Sequence, residues 1–238
     1  MINIIDEQRV ARMQTVSRRV SLAGLAFLIG GLLLSFTDRF NSTEFFFIQT
    51  VALLGGWGMA QVGIYYAHRY VSSPRPDEVL AQSLRKAVPQ GRLYHYVLPV
   101  PHVLLTAAGP IVLIAKYQGG EIWVENDKWK QSGVGMGKWF GQQGVGNPTQ
   151  EAYYFVDKLD RYIRKNAPDL EAEFPIGAII VFTQPGLKEL DLEGSSIPAM
   201  HASKLKKYLK KQGLGEPLPA EVYERLREMF DEAAGKLV

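Results

Sequence analysis

One lysine stands at the end of a segment that is otherwise predicted to be core. The run GPIVLIAKYQGG, residues 109–120, is apolar up to Lys116 and turns at two glycines directly afterwards. A lysine ammonium in that position either emerges into solvent at the strand end or marks a functional site. The residues by themselves leave both interpretations open.

A second set of residues has the chemistry to bind nucleic acid, because lysines contact phosphates and aromatic rings stack on bases. Its members are Lys128, Trp129, Lys130, Lys138, Trp139, Lys206 and Lys207. The last two belong to SKLKKYLKKQ, residues 203–212, a segment with five lysines. That segment is equally typical of a solvated helix face or of a helix lying against an anionic membrane surface.

The composition excludes several kinds of site. The chain has no cysteine, so disulfides, thiolate zinc sites and cysteine nucleophiles are absent. The four histidines are scattered without the spacing of metal ligands, and we expect neither a metal nor a cofactor. The net charge of +3 is too small to imply a polyanionic partner on its own.

Two long uncharged segments predict a pair of transmembrane helices, at residues 20–36 and 45–67. Arginines precede the first segment and basic residues follow the second, whereas the connecting loop has only Arg39. By the positive-inside rule both termini then lie in the cytoplasm. The sequence therefore predicts a multi-pass protein of the inner or plasma membrane, with the lipid bilayer as one partner.

The glycines of these two segments would let helices approach closely, either within the chain or between copies in a homo-oligomer. They are Gly24, Gly30, Gly31, Gly55, Gly56, Gly58 and Gly63. Residues 1–19 are predicted to form an amphipathic helix leading into the first span. The prolines of residues 72–76 then end the second helix, so that 1–71 is the membrane anchor and 72–76 a linker.

The remainder of the chain predicts an α/β domain, residues 77–212, and a C-terminal helix within 213–238. Its pattern is a helix at 77–88, strands at 93–100, 102–107, 111–117 and 121–125, a helix at 149–166, a strand at 176–182, a short strand near 196–202, and two helices. Asn147 is the expected N-cap of the 149–166 helix. This order predicts a central mixed sheet flanked by helices.

Several segments of residues 76–212 together resemble the NERD domain, the nuclease-related domain found fused to membrane spans in bacteria. They are Pro76-Asp77-Glu78-Val79, the segment from Gly109 through Lys116-Tyr117 to Gly120, Trp129, Asn147-Pro148, and the apolar strand followed by KLKKYL. The resemblance implies a restriction-endonuclease-like fold of the PD-(D/E)xK type. In such nucleases an aspartate and a glutamate hold Mg²⁺, and a lysine two residues after the glutamate orients the attacking water.

The chain departs from that pattern at the metal ligands. Ile114 occupies the glutamate position relative to Lys116, and no carboxylate stands near Pro101-His102, where the aspartate is expected. Lys116 and Glu78 would then be remnants of a catalytic site. The sequence predicts a catalytically inactive, membrane-anchored domain that binds nucleic acid or a protein partner.

Two alternatives stay open. Carboxylates relocated to Glu121, Glu125 or Asp127, together with Glu78, would hold Mg²⁺ and restore a metal-dependent nuclease. The other alternative is a structural membrane protein whose cytoplasmic domain serves assembly through an apolar stripe on the last helix. That stripe consists of Val222, Leu226, Met229 and Phe230.

Overall fold

The computed structural model describes residues 1–36, 43–133, 144–170, 174–185, 187 and 189–235. The chain divides into a helical unit, Arg9–Arg75, and a sheet-containing unit that combines Met1–Gln8 with most of the chain after Pro76. The predicted loop between the two spans lies largely outside the described residues.

The helical unit is an antiparallel hairpin of α1 (Glu7–Leu34) and α2 (Thr43–Tyr70). The buried positions of α1 recur every seven residues, at Val10, Ser17, Gly24 and Gly31. Gly24 and Gly56 face each other so closely that a Cβ on either would lie 2.9 Å from the carbonyl oxygen of the other. Glycine at these positions therefore permits the helix contact, as the sequence predicts.

The outer surface of this hairpin is apolar. Large side chains such as Leu33, Phe47 and Val51 are more than half exposed. Both helices are long and apolar enough to cross a membrane, with mean hydropathies of 1.5 and 1.4 in their most apolar windows. They contain residues 20–34 and 45–67 of the predicted spans. Two apolar helices of spanning length are thus confirmed.

The predicted lead-in helix over residues 1–19 is wrong at its beginning. Residues Ile2–Ile5 form a strand, β1, and α1 starts only at Glu7. β1 pairs in parallel with β2 (Arg92–His95), with Ile2 opposite Arg92 and Ile5 opposite His95. β-Branched isoleucines suit a strand, and the partner strand lies about ninety residues away along the chain, beyond the reach of a local pattern.

The sheet-containing unit has a central mixed sheet of six strands in the order β1-β2-β3-β4-β7-β9. The further strands are β3 (His102–Thr106), β4 (Gly109–Lys116), β7 (Gly177–Phe182) and β9 (Ala199–His201). β2, β3 and β4 are antiparallel neighbours, whereas β4 pairs in parallel with β7. The predicted α/β class with a central mixed sheet is confirmed.

Helices cover both faces of this sheet, and the alternation of side chains along each strand divides the core into two layers. The helices are α3 (Pro76–Leu84), α4 (Pro148–Asn166), α5 (Ala202–Gln212) and α6 (Ala220–Gly235). On one face, α4 and α6 pack against residues such as Ile114 and Phe182. On the other, α3 and α5 pack against residues such as Leu113 and Val181.

The apolar stripe of α6 belongs to the first of these layers. Val222 is 9% exposed, and Leu226, Met229 and Phe230 are 4% exposed or less. Their burial is intramolecular, against the sheet that also packs on α4. The C-terminal helix is therefore part of the sheet-containing unit.

A second sheet of three strands, in the order β6-β5-β8, was not expected from the sequence. It contains β5 (Glu121–Glu125), β6 (Lys128–Ser132) and β8 (Glu189–Asp191). Asn126 and Asp127, both with positive φ, form the tight turn between β5 and β6, and paired positive φ angles match the twist of an antiparallel hairpin.

The predicted strand at 93–100 ends early, after His95. Tyr96 has a φ of 63° and leaves the extended conformation. Its backbone N–H donates to the carbonyl oxygen of Pro101 at 2.7 Å, which closes the turn into β3. The apolar residues that follow, Leu98 and Val100, are buried without forming a strand.

Candidate functional site

Lys116 lies at the carboxyl end of β4, in the interior of the six-stranded sheet. Only 7% of the residue is exposed. Because side chains alternate along a strand, it points to the same face as Ile114, toward α4. Its carbonyl oxygen accepts hydrogen bonds from the backbone N–H of Thr183 at 2.7 Å and from the Thr183 hydroxyl at 3.2 Å.

The Lys116 ammonium forms an ion pair with the carboxylate of Glu151, in the first turn of α4. The side chains of the pair are 9% and 29% exposed, so Lys116 is the more enclosed partner. Charge neutralisation makes the buried ammonium tolerable, since an unpaired charge in this position would be costly. The same neutralisation reduces the attraction of Lys116 for a phosphate.

Local sequence explains where Glu151 stands. Asn147 caps α4, with its side-chain oxygen accepting from the backbone N–H of Gln150 at 3.0 Å, and Pro148 occupies the first turn. The predicted N-cap is thus confirmed. A carboxylate in the first turn also interacts favourably with the helix dipole. Sequence reasoning missed Glu151 as the partner of Lys116, because only the packing of α4 on β4 brings the two together.

A buried apolar residue occupies the position where the resemblance implies a metal-binding glutamate. Ile114 is 1% exposed and packs in the layer between the sheet and α4. Its neighbour across the parallel pair is Ile180, which is fully buried. Replacing Ile114 by a glutamate would bury a charge among these side chains, so this strand supplies packing at that point.

Glu78 is exposed on α3. The apolar residues of α3, Leu80 and Leu84, pack in the layer on the opposite face of the sheet from α4. The helix that carries Glu78 and the helix whose Glu151 pairs with Lys116 thus cover opposite faces of the sheet.

The carboxylates considered as relocated ligands each have a partner of their own. Glu121 accepts from the Ser132 hydroxyl at 2.8 Å, and Glu125 pairs with Lys130 at 2.9 Å. Asp127 accepts from the backbone N–H of Ser196 at 2.8 Å, which lowers the pKa of its carboxyl. Across the described ranges, no three His, Asp or Glu side chains converge as metal ligands do.

The lysines and tryptophans predicted to bind nucleic acid near β6 have three different environments or lie outside the described residues. The Trp129 indole N–H donates to the Thr149 hydroxyl at 2.8 Å, and its ring lies 6.0 Å from that of Phe182, so it anchors β6 to the core. Lys130 pairs with Glu125, and Lys128 is exposed opposite Glu125 in the register of β5 and β6. Lys138 and Trp139 lie outside the described residues.

The helix α5 carries a concentrated positive charge on the described surface. Its five lysines, Lys204, Lys206, Lys207, Lys210 and Lys211, are all exposed, and the helix has no acidic residue. No ion pair joins any of them to a described carboxylate. Like charges three and four residues apart on a helix repel each other, so a bound anion would stabilise this surface.

A buried histidine pair lies on the α3 face of the sheet. The Nδ1 atoms of His95 and His102 are 2.8 Å apart across β2 and β3, and the residues are 0% and 4% exposed. One ring must donate and the other accept, so the pair holds at most one extra proton. The Tyr96 hydroxyl donates to Asp77 at 3.4 Å beside them. This cluster connects the end of β2 and the beginning of β3 to the start of α3. The sequence did not indicate it, because its residues are separated along the chain.

The chain matches no protein-family model, no curated protein and no solved structure. The resemblance to the nuclease-related domain therefore depends on the residues quoted above and on their placement in the fold.

Proposed function

We propose that this protein is a membrane-anchored, nuclease-related domain that binds nucleic acid at the cytoplasmic membrane face and does not cleave it. The observation that carries the proposal is the lysine face of α5, which is exposed and has no acidic partner. Lysines in such an array bind a phosphate backbone by releasing its counterions. In this proposal the rest of the domain holds α5 in place, with its lysine face exposed.

The order of elements supports the nuclease-related part of the proposal. The segments that carry the resemblance fall, in chain order, in or beside α3, β4, β6, α4, β7 and α5. Lys116 stands at the end of β4, a strand that lies between an antiparallel neighbour, β3, and a parallel one, β7. A restriction-endonuclease-like arrangement would place a lysine there.

Two features of the surroundings of Lys116 favour binding without catalysis. A Mg²⁺ ion needs several oxygen ligands with negative charge, and the site beside Lys116 has Ile114 where a ligand is required. Glu151, the carboxylate nearest the lysine, is occupied by the ammonium. Among the residues that the structure describes, no group of three His, Asp or Glu side chains could hold a metal ion.

Strand β1 supports a membrane topology with both termini on one side. Residues 2–5, before α1, belong to the same sheet as residues 92–95, after α2. Two crossings return a chain to the side on which it began, which agrees with this pairing. The arginines in the first turns of α1, ahead of its apolar segment, and the basic residues that follow the apolar segment of α2 favour the cytoplasm as that side.

Reversing two lysine charges on α5 tests the proposal. In the full chain, held in nanodiscs of zwitterionic lipid, Lys206→Glu with Lys210→Glu is expected to weaken binding of a fluorescent oligonucleotide on the order of tenfold. The slope of log affinity against log salt should also become shallower. Fluorescence anisotropy at several salt concentrations measures both quantities.

The matched control is Lys158→Glu with Lys165→Glu, which changes the net charge equally but lies on α4, the helix of the other face. This variant is expected to bind nearly as well as the native chain. Equal losses in both variants would mean that overall charge, and not the α5 face, determines binding. Absence of binding by the native chain at low salt would overturn the proposed function.

A second candidate function, an active nuclease with a relocated carboxylate, is favoured by one observation: Glu151 lies against Lys116. Its test is cleavage of a plasmid and of labelled oligonucleotides in Mg²⁺ or Mn²⁺ by the native chain, Lys116→Ala and Glu151→Gln. We expect no cleavage above background from any of the three. Native cleavage that both substitutions abolish would replace the binding proposal with the enzymatic one.

A further inference from the structure

A groove lies between the edge strand β9 and helix α5, beside the lysine face. It has a volume of ≈ 390 Å³. Its lining residues are Pro198, Ala199, Met200, Lys204, Lys207, Tyr208 and Lys211. The groove therefore combines an apolar floor with a rim of ammonium groups.

The rim has a regular geometry. Lys204, Lys207 and Lys211 are spaced three and four residues apart, so they line one side of α5 over roughly 10 Å. The carboxylates of Asp191 and Glu193 line a separate cavity that Lys204 also borders. Those charges disfavour an anion near Lys204 and leave Lys207 and Lys211 as the principal anion contacts.

We propose that this groove holds unpaired bases of single-stranded nucleic acid, with a base stacked on the half-buried Tyr208 and the phosphates on Lys207 and Lys211. The inference rests on the proposed function and adds the class of nucleic acid to it. Stacking on an aromatic side chain is independent of base identity, because every base presents a π-face. The site would thus select unpaired strands without selecting a sequence.

The shape of the surface distinguishes this ligand from two others. In a duplex the bases are stacked inside the helix and cannot enter a groove on the protein. A flat anionic bilayer would meet the outer lysines, but the large apolar residues of α5, Leu205 and Leu209, are buried and unavailable for insertion. The apolar surface next to the lysines is concave, which suits a projecting base.

The experiment compares three probes of equal length on the full chain in zwitterionic nanodiscs: a single strand, the corresponding duplex, and a single strand with abasic sites. We expect the single strand to bind on the order of tenfold more tightly than the abasic strand, since each stacked base contributes substantially to affinity. The duplex is expected to bind about as weakly as the abasic strand.

The substitution Tyr208→Leu keeps an apolar side chain at this position and removes the aromatic face. It should weaken binding of the single strand several-fold and leave duplex binding unchanged. Tyr154→Leu is the matched control, because Tyr154 is 54% exposed near Lys158 on α4 and lies outside the groove. Circular dichroism of each variant establishes that the fold is retained.

The outcomes separate this inference from the function on which it rests. Equal affinity for all three probes, lowered by the α5 charge reversals, would overturn the groove assignment and leave nucleic-acid binding in place. Loss of affinity in a correctly folded Tyr208→Leu for duplex and single strand alike would also overturn it. Binding to nanodiscs or vesicles of anionic lipid, with none to any oligonucleotide, would overturn both proposals.

Discussion

Replacing Gly56 by leucine is expected to separate α1 from α2. A Cβ at residue 56 would lie 2.9 Å from the backbone oxygen of Gly24 and 2.9 Å from the backbone nitrogen of Leu28. Both atoms belong to the backbone and cannot rotate away, so the helices must move. We expect the separation of their axes to grow by about 1–2 Å, with a cost on the order of 3 kcal/mol for disrupted packing.

The absence of cysteine makes the measurement direct. Cysteines placed at Leu25 and Leu54, which are 52% and 65% exposed, can be spin-labelled specifically and their separation measured by electron paramagnetic resonance. Protection of α1 amides from hydrogen exchange gives an independent readout and should fall in the variant.

Gly58→Leu is the control for this prediction. A Cβ at residue 58 meets nothing within 4 Å, so leucine there has open space. The spin-label separation is expected to match that of the native hairpin. If the two substitutions had the same effect, the close contact between Gly24 and Gly56 would not hold the hairpin together.

Replacing Asp231 by alanine is expected to loosen α6 from the sheet and to lower the free energy of unfolding by about 2 kcal/mol. The Arg92 guanidinium contacts both carboxylate oxygens of Asp231, at 2.8 and 2.7 Å, and the Tyr94 hydroxyl donates to the same carboxylate at 2.8 Å. Without Asp231, the buried Tyr94 hydroxyl and the partly buried Arg92 lose this shared acceptor. Denaturant unfolding of the full chain, followed by circular dichroism, measures the change.

The pair between Arg225 and Asp169 provides a matched comparison. The Arg225 guanidinium also contacts both carboxylate oxygens of its partner, through Nε and one Nη at 2.8 and 3.1 Å. The side chains of this pair are 33% and 56% exposed, against 19% and 35% for Arg92 and Asp231. Water replaces the lost contacts at an exposed pair, so Asp169→Ala is expected to unfold almost as the native chain does. Similar losses in both variants would contradict the importance of burial.

The pKa of Tyr94 is consistent with this network. Burial of the phenol raises its pKa above the ordinary value near 10, and the hydrogen bond to the Asp231 carboxylate raises it further. Both causes favour the neutral hydroxyl, which is the form that donates to Asp231. Asp231→Ala removes the second cause and should lower the Tyr94 pKa in a spectroscopic titration.

The basic helix shows how far a local pattern can be interpreted. Its lysines and its buried leucines follow from helical spacing within a few turns, and the structure agrees. The same pattern could not indicate the groove, because the groove needs Met200 of β9 beside Tyr208 of α5. Spacing predicts which residues share a helix face, whereas the neighbour of that face depends on the topology.

Local sequence determined several features of this protein. Uninterrupted apolar length determined α1 and α2, and helical periodicity and the Asn147 cap determined α4. The glycines predicted a close approach of the two helices, and Gly24, Gly31, Gly56 and Gly63 lie at that contact, whereas a Cβ on Gly30, Gly55 or Gly58 would meet nothing within 4 Å. These features depend on residues within a few turns of one another, where side-chain spacing and backbone hydrogen bonding act directly.

Only the tertiary structure decided the rest. It paired β1 with β2, although the whole hairpin separates them along the chain, and it placed Glu151 against Lys116. It also put α3, which carries Glu78, on the opposite face of the sheet from α4 and packed Trp129 against the core. Each of these outcomes depends on which strands pair and which face a helix covers. The packing of the whole core determines these choices together, because each residue gains little stabilising free energy from any single neighbour.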